Sequence, residues 1–301
     1  MNRPRVLLWV LLLVTAVGSW SWTTPNNLGE GCNSSSQDRD PWIDSTGTVV
    51  YFASNRAGGR GNYDIWRSTF ASGWQAPVNL GSTVNSADDE EGPCYWPSTV
   101  PELFFGSDRA GGLGNLDVWY SRYQGGSWAL AANLGSVVNR NNWDGDPFVV
   151  GNPPKMYFVS SRPGGYGGFD IWVSQYSPES GWQAPVNLGA NVNSSSNEES
   201  PSVTADGRYL YFGSNRGGGL GGGDIWVCSN NAGNWTPAQN LGAPVNTSQN
   251  EVAPSISAGN GRLVFASNRS PSYGAYDLWY TDNGTVSLEP SSLGRVKATY
   301  R

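Results

Sequence analysis

One string recurs five times along this chain at an almost constant interval: Ser-(Asn/Asp/Ser)-Arg, a glycine-rich stretch, then Asp-(Ile/Val/Leu)-Trp. Its arginines are Arg56, Arg109, Arg162, Arg216 and Arg269, and its aspartates are Asp64, Asp117, Asp170, Asp224 and Asp277. Arginine leads aspartate by eight residues each time, and successive copies lie 53, 53, 54 and 53 residues apart. Such a period means that one small supersecondary unit is copied and that each copy buries its apolar face against its neighbours.

A second string, Trp followed at five residues by Asn-Leu-Gly, is interleaved with the first and begins at Trp22, Trp74, Trp128, Trp182 and Trp235. A proline then precedes the next apolar run, at Pro41, Pro93, Pro147, Pro201 and Pro254, and three residues before each stands an acid: Asp38, Glu90, Asp144, Glu198 and Glu251. Inside a unit, β-branched and aromatic runs such as Tyr209 to Phe212 are punctuated by Gly, Asn and Pro, and helical periodicity is absent after the first twenty residues. Four short strands per unit predict an all-β fold, a β-propeller of five four-stranded blades. The chain opens with a lone fourth strand near Trp22 and ends its last copy on a third strand near Leu278 to Tyr280. The N-terminal strand is therefore expected to complete the last blade and remove a free sheet edge. Pro290, Ser292, Leu293 and Gly294 imitate the Pro-x-Asn-Leu-Gly string without its Trp and leave a sixth blade open. The expected division is a signal peptide over 1–19, a propeller over 20–286 and a C-terminal tail over 287–301.

The 301 residues include no His, which removes Ser-His-Asp and Cys-His catalysis and imidazole metal ligands. Carboxylate, Tyr, Lys and Arg chemistry remains, and nothing in the sequence calls for a cofactor or a metal. A net charge of −6 repels phosphate backbones and argues against a nucleic-acid partner. Arg3 and Arg5, the apolar run from Val6 to Val17, and the small residues Ala16, Gly18 and Ser19 read as a secretory signal. The run is short for a membrane span, although an uncleaved anchor is the competing reading. The mature chain is expected in the periplasm, on the cell surface or outside the cell, as a monomer without a membrane span. Cys32, Cys94 and Cys228 make an odd count in an exported chain. Either Cys32 pairs with Cys94 or all three are buried as small apolar side chains.

Taken together, Ser54-Asn55-Arg56 through Asp64-Ile65-Trp66, their four copies, and the Pro-x-Asn-Leu-Gly and acid-x-x-Pro elements resemble the TolB-type, WD-like β-propeller repeats of bacterial envelope and secreted proteins. The resemblance spans roughly residues 20 to 294. It implies an interaction platform in the cell envelope; the peptidoglycan-binding module sometimes fused to such repeats is missing here. A minority of relatives resemble polysaccharide lyases with a histidine-held metal, an activity that a chain without His does not inherit.

With strands running alternately down and up, the pre-proline acids, the arginines and the aspartates all fall on one rim. A ring of carboxylates could hold a cation or a basic peptide. The structural alternative gives each arginine's planar fork two carboxylates, pinning a loop whose glycines, at 58, 59, 61 and equivalents, supply positive φ. Identical recurrence in every blade favours the structural role. Symmetry breaks at Trp42, Trp96 and Trp143, joined by Tyr95 and Phe148, where the last two units carry Ser202, Val203, Ser255 and Ile256. These rings either form an arc that binds a glycan or peptide, or plug a narrow channel. The expected function is a non-enzymatic binding module for a glycan or an envelope protein or peptide. One alternative is a glycosidase drawing on the non-repeating acids Asp44, Asp89, Glu91, Asp146 and Glu199, among which no motif selects a pair. Another is a structural scaffold docked through Arg295, Lys297 and Arg301 of the basic tail.

Overall fold

The computed structural model describes residues 21–257 and 261–284, and within them the chain is all β, arranged as five antiparallel blades. The signal segment and the basic tail expected from the sequence lie outside the described residues. Blade 1 runs from its innermost strand Asp38–Ile43 through Val49–Ser54 and Asp64–Thr69 to Val78–Asn79. Blades 2, 3 and 4 begin with Glu90–Trp96, Asp144–Val150 and Glu198–Val203 and repeat the same order. In these three a short outer strand holding Trp128, Trp182 or Trp235 also pairs with the end of the third strand. Blade 5 comprises Glu251–Ile256, Arg262–Ser267, Asp277–Asp282 and, as its fourth strand, Asn26–Asn27.

The ring closes as the order of strings predicts. Asn26 pairs with Tyr280 and Asn27 with Trp279, and the side chain of Asn33 bonds both the amide and the carbonyl of Leu278. Five blades account for all the described strands, so the sixth left open by the tail is not among them. The core lies between blades. Phe52, Phe105, Phe158, Phe212 and Phe265 on the second strands are fully buried, and the Trp of every Asp-x-Trp string is buried beside them. Removing this apolar area from water on both faces of each sheet is the main stabilising contribution.

The repeated charges form a knot in every blade. The pre-proline acids are fully buried and each is paired with the arginine of its own unit at 2.5–2.9 Å: Asp38 with Arg56, Glu90 with Arg109, Asp144 with Arg162, Glu198 with Arg216 and Glu251 with Arg269. Each arginine donates its Nε to the serine two residues before it, at 2.7–3.1 Å, and its Nη2 to a carbonyl of the preceding interblade loop, that of Cys32, Val84, Val138, Val192 or Val245. The guanidinium planes stand 5.0–5.4 Å from the Phe and Trp rings of the same blade. One expectation is corrected here: each fork takes one carboxylate, not two. Asp64, Asp117, Asp170, Asp224 and Asp277 bond no guanidinium and instead accept backbone N–H groups of the glycine-rich loop, from Arg60, Leu113, Tyr166, Leu220 and Tyr273. A carboxylate held by local N–H donors needs no cation beside it.

The glycines of that loop differ in purpose. Gly58 has φ 94°. Gly59 and Gly61 do not have positive φ; they are small because a Cβ would fall against the Asp64 carboxylate and the Asp88 carbonyl. The three cysteines are free and buried, so the Cys32–Cys94 bond does not form. Cys32 occupies the position filled by Val84, Val138, Val192 and Val245 in the other units, and Cys228 that filled by Ser68, Ser121 and Ser174. Burial pushes all three thiols up to about 12. Replacing Arg162 by Ala leaves Asp144 buried without its cation and should destabilise the chain by about 3–5 kcal/mol. Urea unfolding of the variant checks this, and an unchanged midpoint would show that the knot contributes nothing.

Candidate functional site

With the acid fixed by its arginine and the proline fixed in φ, the two residues between them are pushed out of the strand. Every innermost strand has a register shift at this point. Directly before each proline the backbone is left-handed, with φ of 51° at Asp40, 58° at Gly92, 48° at Asp146, 49° at Ser200 and 51° at Ala253. For the non-glycine residues such a conformation costs on the order of 1 kcal/mol each. The bulge turns these residues, with Arg39, Glu91, Glu199 and Val252 before them, toward the central axis.

There they line a cavity of about 360 Å³ at the channel mouth. Through Asp40, Asp146, Ser200 and Ala253 it adjoins a smaller cavity of about 30 Å³ lined by the five prolines, Trp42 and Phe148, and we call the larger space the cup. One side is ionisable. Arg39 pairs with Asp40 at 3.0 Å and with Glu91, and its guanidinium lies 4.4 Å over the Tyr63 ring. Asp146 accepts hydrogen bonds from the amide and hydroxyl of Ser200 at 3.1 and 3.0 Å, while Glu199 accepts none among the described residues. Residue 92 is glycine because a Cβ there would lie 2.8 Å from Asp146 Oδ1 and 2.9 Å from its Cα. The other side is apolar: Val252, Ala253, Phe169 and Trp143, the last two edge to face at 5.1 Å. Gly145 lets Trp143 lie flat, since a Cβ would meet the indole at 2.6 Å.

Four carboxyl groups face one guanidinium in this cup. Burial pushes Glu91 up to about 7, with Arg39 opposing the rise. Burial also holds Asp146 well above the usual carboxylate range, helped by the charges of Asp40, Glu91 and Glu199, and Glu199 is raised for the same first reason. The cup thus carries at least one carboxyl, Glu91, able to stay protonated near neutral pH beside a fixed cation. Among the described residues no three His, Cys, Asp or Glu side chains are disposed to hold a metal ion.

Of the non-repeating acids singled out by sequence, Glu91, Asp146 and Glu199 meet here. Asp44 caps the turn at the far end of its strand, accepting from the amides of Thr48 and Val49, and Asp89 accepts from the Tyr63 amide. Arg39 and Asp40 escaped notice, although they sit one and two residues after their repeat acid, at the offsets of Glu91 and Asp146. The aromatic residues separate. Trp143 lines the cup; Trp42 and Phe148 lie on its floor; Tyr95 stacks on Tyr51 at 5.7 Å between blades; and Trp96 ends its strand at the opposite face. The rings are not one arc, because they stand at different offsets from the acid. The repeating acids are buried in the arginine knots, each with an arginine as its cation.

No family model matches this chain, and no curated protein matches it in sequence. Its fold is similar to those of solved propellers. TolB from Acinetobacter baumannii superposes with a TM-score of 0.51 at 10% identity, over 83% of this chain and 55% of that one, so this chain spans about half of that protein's length. A GH43 endo-arabinanase from Bacillus licheniformis gives a TM-score of 0.55 at 14% identity, over 83% and 95% of the two chains. An endo-arabinase from Bacteroides thetaiotaomicron gives 0.54 at 13%, over 85% and 96%. At these identities the likeness is one of fold. Among the described residues no helix is long and apolar enough to cross a membrane.

Folded Asp146 binds its proton more tightly than the unfolded chain does, because its carboxyl is raised by burial. Its contribution to stability is therefore largest below the ordinary carboxylate range and is lost as pH rises from there through the folded value. Asp146→Asn removes that loss. Its melting temperature should match the parent's near pH 4 and exceed it at pH 8, a 3 °C gap corresponding to roughly 1 kcal/mol. A gap independent of pH would mean that Asp146 is ionised in the fold.

Proposed function

We propose that this chain is an exported TolB-type propeller that captures a sugar residue of a glycan in the cup at its channel mouth, as a binding module. The supporting observation is the convergence of symmetry-breaking residues on one cavity: Arg39, Asp40, Glu91, Asp146, Glu199 and Ser200 on one side, Trp143 and Phe169 on the other. A pyranose or furanose has an apolar face and a rim of hydroxyls, each both donor and acceptor, and a cup with one wall of rings and one of carboxyls and guanidinium complements both. Export rests on the basic start and apolar run of residues 3 to 17.

A second reading, a carboxylate-dependent glycoside hydrolase, is favoured by one observation, the elevation of Glu91 to about 7 and of Asp146. A carboxyl still protonated near neutral pH is what a general acid requires, with a second, ionised carboxylate across the bond. The fold likeness to an endo-arabinanase is consistent with this reading.

Retention on immobilised arabinan, xylan, cellulose, chitin and peptidoglycan separates the two. The parent should be retained by at least one of them, Trp143→Ala should weaken retention about tenfold, and Glu91→Gln should still bind. Reducing ends released by the parent, and lost by a factor of about 10² or more in Glu91→Gln, would move the conclusion to hydrolysis. Absence of retention on every polymer would sink both readings.

A further inference from the structure

We infer that the groove between blades 2 and 3, on the face opposite the channel mouth, is a second saccharide-binding site. It does not rest on the reading of the cup. Trp96 ends the innermost strand that starts at the mouth with Glu90, and Glu102 and Arg122 pair across that same end of the blade. The groove there has a volume of about 530 Å³.

Its rings form a continuous row. Arg122 lies 5.3 Å over Tyr120; Tyr120 stacks on Phe104 at 6.1 Å and 30°; Trp182 of the next blade meets Phe104 edge to face at 6.2 Å; and Tyr176 meets Trp182 at 5.3 Å. The Phe104–Trp182 contact belongs to the general packing of the fold, since Tyr157 and Trp235 repeat it one blade on at 6.3 Å. The Tyr176–Trp182 contact is general too, repeated by Tyr123–Trp128 at 5.1 Å and Phe70–Trp74 at 5.6 Å, whereas the combination of Trp96, Tyr120 and Arg122 is particular to this groove. Where blade 2 has Trp96, blades 1 and 4 have Asp44 and Thr204, which hold their turns. Where it has Tyr120 and Arg122, blade 3 has Val173 and Gln175 and blade 4 has Val227 and Ser229. Blade 5 carries a comparable ion pair, Arg262–Asp282 with Arg262 4.5 Å over Tyr280, but Ser257 and Val264 replace Trp96 and Phe104.

Two features select a saccharide. Tyr176 is 38% exposed, and Trp96, Tyr120 and Trp182 are partly exposed, so flat ring surface is open to a sugar's C–H face. Arg122 spends its Nε on Glu102 at 2.9 Å, and its remaining N–H groups have no acceptor among the described residues, with the side chain half exposed. Donors and a carboxylate acceptor thus stand side by side at the edge of the rings, which suits neighbouring hydroxyls that each donate and accept. A proline-rich peptide would use the rings and leave the ion pair idle.

Calorimetric titration of the parent, Trp96→Ala, Trp96→Phe, Arg122→Ala and the cup variant Trp143→Ala tests this with cellohexaose, chitohexaose, xylohexaose, arabinohexaose and a decaproline peptide as probes. The parent should bind at least one hexasaccharide. Trp96→Ala should weaken that binding about tenfold, Trp96→Phe should restore most of it, and Trp143→Ala should leave a Trp96-dependent event in place. Arg122, being half exposed, can be truncated without touching the core, so its loss of affinity is readable even if Trp96→Ala misfolds. Binding of no hexasaccharide, equal affinity in Trp96→Ala and Arg122→Ala, or binding of decaproline alone would overturn the groove. Sugar binding abolished by Trp143→Ala and untouched by Trp96→Ala would also overturn it while leaving the cup intact.

Discussion

The buried pair of one acid and one arginine, five times repeated, is the constraint on which the rest of this molecule depends. A carboxylate with no exposed surface is stable as an anion only if its oxygens are occupied, and here the guanidinium, a serine hydroxyl and a loop amide divide them: Glu198, for example, is held by Arg216, Ser214 and the amide of Ser194. The same arginine reaches a carbonyl in the loop arriving from the preceding blade, Val192 in this case. Each knot therefore joins a blade to its own entrance loop, and five of them fix the heights of the innermost strands around the axis. Because the knots pair each pre-proline acid with the arginine of its own unit, those five carboxylates are not free to take a ligand.

What is left for function is set by the same knots. Between an anchored acid and a proline locked in φ, two residues have no register to follow, and the strand releases them as a bulge with left-handed backbone. Each innermost strand thereby offers two positions at the mouth whose side chains are free of the repeat's demands. Five blades offer ten such positions, and the chain has filled them unevenly, with ionisable groups from blades 1 to 4 and Val252 and Ala253 from blade 5. The strain at Asp40, Asp146, Ser200 and Ala253 is retained because acid and proline over-determine it.

The period, the strand order and the closure by the N-terminal strand were legible because they depend on spacing alone. The partner of each arginine was half legible. Counting charges suggested two carboxylates per fork, but Asp64 and its equivalents are satisfied by loop amides, and backbone donors do not appear in a count of side chains. Asn33, Asn85, Asn139, Asn193 and Asn246 went unread although each follows the Asn of its Asn-Leu-Gly string by six residues. Each spans a third strand by bonding an amide and a carbonyl, as Asn85 does at Ile65. The aromatic arc failed because alternation was not carried through the bulge. One residue before the acid, Trp143 reaches the cup; four after it, Trp42 reaches the floor; six after it, Trp96 reaches the far face.

Under the proposed reading, the size of the cup bounds the ligand it would accept. Trp42, Phe148 and the prolines line about 30 Å³ beneath the carboxylates, room for a water or two rather than a sugar. A volume of about 360 Å³ is at the lower end for ligand cavities, which run from about 300 to 1,000 Å³. A glycan captured there, as proposed, would enter by a chain end or a single side branch, and a longer one would continue across the rim. The blade 2–3 groove opens on the opposite face, so one short ligand cannot occupy both sites. Both proposed sites, a charged cup and an open, ring-lined groove, are thus built where the repeat leaves side chains unassigned.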